Sequence, residues 1–119
     1  MNHSPATLND QADAEAAAVA EVSFHDGDPT SAGLNETGIA RQALTFAAAG
    51  VAGGHPTQVA ADGRAWSQLF DVTIPSGTTV THLATRDSLG AVRSWWEVPP
   101  AVGPRTWRIA VPIESRNLA

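Results

Sequence analysis

Thr106-Trp107-Arg108-Ile109-Ala110-Val111-Pro112-Ile113 carries the clearest signal of fold class in the chain. Trp107, Ile109, Val111 and Ile113 are large and apolar, and Thr106, Arg108, Ala110 and Pro112 stand between them. A repeat of two puts the first set on one face of an extended strand and the second set on the other. Wound as a helix, the same residues would scatter around the axis and give no single face to bury. Pro112 has no amide hydrogen for a ladder, so the end of this strand is expected at a sheet edge.

Working back from there, the same period recurs. Ala91 to Val98 reads as a strand with Val92, Trp96 and Val98 on one side, stopped by Pro99-Pro100 and entered through the turn Asp87-Ser88-Leu89-Gly90. Val80 to Thr85 is a β-branched strand. Before it, Trp66, Phe70, Val72 and Ile74 share one face of a long strand, with Ser67, Asp71 and Thr73 on the other. That strand follows the Asp62-Gly63 turn and closes at Pro75-Ser76-Gly77. Val22 and Phe24 alternate with Ser23 and His25 in a first strand that ends at Asp26-Gly27-Asp28-Pro29. A loop from Thr30 to Gly38 leads to a candidate strand over Ile39 to Phe46, and the small residues from Ala47 to Gly54 read as a loop.

Only the N-terminal stretch has a helical period. Thr7 and Asp10 are spaced as a capping box, acids follow in the first turn, and Leu8, Ala12, Ala16 and Val19 or Ala20 form a thin apolar stripe. A stripe this thin needs a larger body to lie against. The expectation is an all-β fold, an antiparallel β-sandwich of six to seven short strands at spacings of roughly ten residues, with a short N-terminal helix. Residues 1–20 form the arm and helix, and residues 21–119 the sandwich.

Composition bounds the function. The 119 residues contain no cysteine, which excludes disulfides, thiolate metal sites and cysteine nucleophiles. Residues 1–36 hold seven acids and no base, whereas residues 37–119 hold five acids and seven arginines, so a net charge of −5 divides into −7 and +2. That balance speaks against nucleic acid as a partner; it fits solvation of an exposed helix first and, as the alternative, head-to-tail contact between copies. Apolar runs are too short to span a bilayer, no membrane partner is expected, and Met1 to Asp10 lacks the basic start and apolar middle of an export signal.

Three segments together resemble a small tail-fibre-like or minor tail-type domain of bacteriophages that infect actinobacteria and related hosts. The first runs from Val22-Ser23-Phe24-His25-Asp26-Gly27-Asp28-Pro29 to Gly33-Leu34-Asn35-Glu36-Thr37-Gly38-Ile39-Ala40-Arg41-Gln42. The second is Phe70 to Leu83, a strand, the turn Pro75-Ser76-Gly77 and a further strand; the third is the turn Asp87-Ser88-Leu89-Gly90. Ile39 stands where that family more often has an aromatic, Ala91 where a second Gly is common, and the stretch with Trp107 and Pro112 has no counterpart. The resemblance implies a virion protein without catalysis, either a capsid decoration or a tail or fibre-associated component. Its expected partners are further copies of itself, three being the expected number, and other virion proteins.

No residue set points to chemistry. His25, Asp26 and Asp28 lie in a tight turn but lack the further ligands a divalent cation needs, and His3, His55 and His82 are scattered. No Gly-x-Ser-x-Gly elbow or phosphate-binding loop is present, so no catalytic residue, metal site or cofactor is assigned. Trp95 and Trp96 are neighbours in a strand and must point to opposite faces. If one is buried the other faces outward unless loops of the same domain cover both; with Arg93 and Trp95 on one face, an outward tryptophan would serve as a subunit contact or as a sugar-stacking platform. Glu36 and Arg41 flank a Gly turn and are placed to pair across it. The interface candidates are thus Trp95, Arg93, Trp96, Glu36 and Arg41, and the alternative function is a carbohydrate-binding module for host surface glycans.

Overall fold

The helix begins one turn earlier than a Thr7/Asp10 box requires. In the computed structural model, which describes residues 4–51 and 61–115, α1 spans Pro5–Ala18. Ser4 is the cap: its Oγ accepts the Thr7 amide at 3.2 Å, and Pro5 takes the first helical position, where a missing amide hydrogen costs nothing. Asp10 therefore falls beyond the first turn, which holds no acid. The anticipated stripe is the buried one, Leu8, Ala12, Ala16 and then Val19.

Eight strands follow among the described residues: β1 (Glu21–His25), β2 (Gln42–Ala43), β3 (Arg64–Trp66), β4 (Phe70–Ile74), β5 (Thr79–Arg86), β6 (Val92–Val102), β7 (Arg105–Ile109) and β8 (Pro112–Glu114). The fold is all-β and antiparallel with one N-terminal helix. His3, His55 and the end of the Ala47–Gly54 loop lie outside the described residues. The chain divides into two compact units.

The first unit joins residues 1–18, 45–70 and 109–119, so the helix belongs with later segments although the sequence division at residue 20 sets it apart. α1 lies on β3 and β8, which pair with Ala65 opposite Ile113 and Trp66 opposite Pro112. Side chains of the helix fasten nearby backbone: Asn9 Oδ1 accepts the Gly63 amide and Asp13 Oδ1 the Ala49 amide, both at 2.7 Å. Ser67 carries the ladder one step past β3. Its amide donates to Val111 O at 2.9 Å, while its Oγ replaces a backbone carbonyl as acceptor for the Val111 amide at 2.7 Å. Here the two long strands of the sequence reading break. Residues 66–74 become β3 and β4, and residues 106–113 become β7 and β8, because a side chain stands in the ladder where backbone would continue it. Among the described residues β8 pairs only with β3, so Pro112 sits in a strand whose other edge has no partner there, as its chemistry demands.

The second unit holds residues 19–44 and 71–108. Its main sheet has the order β2-β1-β5-β6, and β4 pairs with β7. Val22, Phe24, Val72, Ile74, Val80, Leu83 and Ala101 are among its buried apolar side chains. Two sequence boundaries move. Only Gln42–Ala43 of the expected strand 39–46 pairs with β1, since Thr37 bonds Phe24 O through both its amide and its hydroxyl and Ile39 N–H turns back to Thr37 Oγ1. β6 runs through Pro99-Pro100 instead of stopping there. Val80 faces Ala101 and His82 faces Glu97, so Val98, Pro99 and Pro100 bulge opposite Thr81. A bulge on an outermost strand is where proline's missing donor goes unnoticed. A second irregularity pairs Arg86 with Val92 and Thr85 with Ser94. Arg93 is the extra residue, and the shift moves Val92 to Trp95's side of the sheet, away from Trp96.

Candidate functional site

Ser23 and His25 occupy the polar positions of β1, yet both are fully buried, so β1 is covered on two sides. The cover on the polar side comes from the loop after β1. Asn35 O accepts the Asp26 amide, Pro29 O the Leu34 amide, and Asp28 Oδ1 the Thr30 amide, the carboxylate-to-backbone bond expected of that turn. Asn35 adopts a positive φ that asparagine tolerates. This folding brings Leu34 O to 2.7 Å from His25 Nδ1 and forms a bridge between His25 and Glu36.

The protons in this layer follow from their partners. A carbonyl only accepts, so His25 Nδ1 carries its hydrogen toward Leu34 O, and Nε2 is left as an acceptor for Ser23 Oγ at 2.7 Å. Ser23 Oγ in turn accepts Arg86 Nε at 2.9 Å. Arg86, with only 7% of its side chain exposed, also donates to Gly90 O at 2.8 Å and reaches Glu36 Oε1 at 3.4 Å. Glu36 is held bidentately by Arg41, at 2.9 Å on each side, and Arg41 extends to Glu21 Oε1 at 3.2 Å. Burial pushes the His25 imidazolium below the ordinary histidine range, opposed by the Leu34 hydrogen bond. The Arg41 hydrogen bonds hold the Glu36 carboxyl below its usual range, and the same bonds raise Arg41 further. A serine on an imidazole at 2.7 Å has the spacing of a base-activated nucleophile. In this chain both groups are sealed, and an arginine occupies the serine oxygen.

The sequence candidates thus separate into two places. Glu36 and Arg41 do pair, and their charges are spent within the chain on Arg86 and Glu21. Arg93, Trp95 and Trp96 lie on β6, the outermost strand of the sheet. Exposure alternates along Val92–Val98: Arg93, Trp95 and Glu97 face outward, and Ser94, Trp96 and Val98 are half-buried. Trp95 is 42% exposed opposite buried Ala84, while Trp96 stands opposite Leu83. Sequence reasoning missed Ser23, His25 and Arg86. Their available signal was a loop of a dozen polar and small residues with no apolar face of its own.

The second unit also has a groove of about 420 Å³ lined by Ile39, Arg41, Gln42, Asp71 and Thr73. Its one acid outside the polar layer, Asp71, faces Arg108 at 3.5 Å across an exposed pair. No group of three potential metal-ligating side chains occurs among the described residues. No helix among them is long and apolar enough to cross a membrane. Fold and surface define an all-β domain with an exposed aromatic edge strand. No protein-family model, no curated protein and no solved structure matches the chain.

Proposed function

We propose that this chain is a non-enzymatic docking domain whose acting surface is β6, and that it serves as a structural component of a bacteriophage virion. Trp95 is the observation that carries the docking role. A tryptophan 42% exposed on an outermost strand, with a cation and an anion beside it, is a costly residue to leave in water and a favoured anchor for a partner. The virion assignment rests on the three sequence segments that resemble tail-type phage domains. The acid-rich start and mildly basic remainder of the chain agree with contact between copies.

Mass spectrometry of purified particles from the phage that encodes the chain tests the assignment. Peptides at structural copy number are the expected result, and their absence would overturn it. The exposed indole also favours a second reading, recognition of host glycans by stacking. A glycan array separates the two: retention on a sugar that Trp95→Ala abolishes without loss of fold would replace docking with carbohydrate binding.

A further inference from the structure

Arg93-Ser94-Trp95-Trp96-Glu97 is a charge palindrome: a cation two residues before Trp95 and an anion two residues after it. All three side chains are exposed, and from Arg93 to Glu97 exposure alternates residue by residue, as it does for one face of a strand. In the sheet order β2-β1-β5-β6, the side of β6 away from β5 has no strand partner among the described residues. We propose that β6 pairs along this edge with β6 of a second copy of the chain, antiparallel, about a two-fold axis at Trp95. The inference deepens the reading of β6 as the acting surface, rests on it, and names the partner.

The register follows from the palindrome. With the axis at Trp95, a residue a given number of places before it faces the partner's residue the same number of places after it. Arg93 then meets the partner's Glu97, Glu97 meets the partner's Arg93, and the two Trp95 rings meet each other. Cross-strand opposite charges and cross-strand aromatics are the favourable pairings of a sheet. A parallel arrangement would set arginine on arginine and glutamate on glutamate. A slip of two residues would set a charge on tryptophan, and a slip of one would turn the exposed face away from the partner's. Only one register satisfies all three side chains.

Glu97 is free to reorient. Its carboxylate lies 4.0 Å from His82 Nε2, and 83% of its side chain is exposed. Pro99 and Pro100 bulge just beyond and cannot donate to a ladder, so the pairing is confined to the residues before them. A short ladder of this kind makes a weak, concentration-dependent dimer, with two identical contacts closing the assembly at two copies.

Sedimentation velocity on the full chain tests the pairing with wild type, Arg93→Glu, Glu97→Arg and an equimolar mixture of the two variants. Wild type is expected to shift from monomer to dimer as concentration rises. Each single variant puts like charges opposite each other twice, and should weaken the dimer by at least about tenfold. The mixture should recover it, because the glutamates of one variant face the arginines of the other. Circular dichroism checks that the variants fold, and Arg93→Gln with Glu97→Gln replaces any that do not, weakening the dimer without repulsion. Wild type that stays monomeric at the highest concentration, a trimer, or a dimer indifferent to the substitutions would overturn the proposal. Presence in virions is read separately, so failure of the pairing and failure of the virion assignment are distinguishable.

Discussion

Among the described residues, Glu36→Gln removes the only carboxylate paired with the Arg86 guanidinium while leaving a group of the same shape. Arg86 is nearly sealed, and an ion left without its counter-charge in such a place is expensive. Glu36 itself keeps about a quarter of its side chain in water, 26%, which tempers the loss. The expected destabilisation is about 2 kcal/mol, read as a lower urea midpoint with an unchanged slope. Acid should act through the same layer in two stages. The unfolded chain begins to bind a proton at His25 near the ordinary value of 6.5, and the folded chain, with its imidazole buried, does not. Stability from this group is therefore complete above 6.5 and declines as pH falls toward the lower folded value. Glu36, held below 4.5 by Arg41, contributes above 4.5 and loses its contribution as pH falls through its own folded value. Urea midpoints across the acid range should thus fall on acidification, and the upper step should vanish in His25→Gln. Little of this was legible in the sequence. Alternation correctly placed Ser23 and His25 on the face opposite Val22 and Phe24, but alternation says nothing of what covers a face. The cover is a loop whose backbone carbonyls and one glutamate do the work, and such groups leave no periodic trace.

The strands of the hydrophobic pattern were legible where burial decides them. β4 alternates buried and exposed as Phe70, Val72 and Ile74 foretold, and the helical stripe of α1 is the buried one. Ends and breaks were not, because they are set by single hydrogen bonds. The Ser67 hydroxyl interrupts a ladder that the apolar period carries straight through, and the bulge at Val98–Pro100 lets β6 continue where two prolines signal a stop. The connection that follows β6 is equally specific. Gly103 donates to Thr78 O at 2.9 Å, and a β-carbon on it would lie 1.8 Å from Pro75 O. Backbone, not a flexible side chain, occupies that space, so Gly103→Ala must push the β6–β7 connection off the Pro75–Thr78 turn. A loss of about 3 kcal/mol is expected by thermal or urea unfolding. Gly38→Ala is the control: nothing lies within 4 Å of its added carbon, and the change should stay within about 0.5 kcal/mol.

At the scale of the molecule, the charged groups have two fates. Glu36, Arg41 and Arg86 are drawn inward to fix a loop over β1, whereas Arg93 and Glu97 flank an exposed tryptophan on the outermost strand. The sequence placed Trp95 and Trp96 on opposite faces because neighbouring strand residues cannot share one, and it left open which of them is outward; Trp95 is the exposed one. It could not show that the strand would be outermost, which depends on strand order and not on any local pattern. Amide hydrogen exchange of the wild-type chain, dilute against concentrated, probes β6 as the acting edge residue by residue. Added protection at high concentration confined to Val92–Val98, with α1, β1 and β2 unaltered, is the predicted result. Unchanged exchange along β6, or protection that arises on another element, would contradict it.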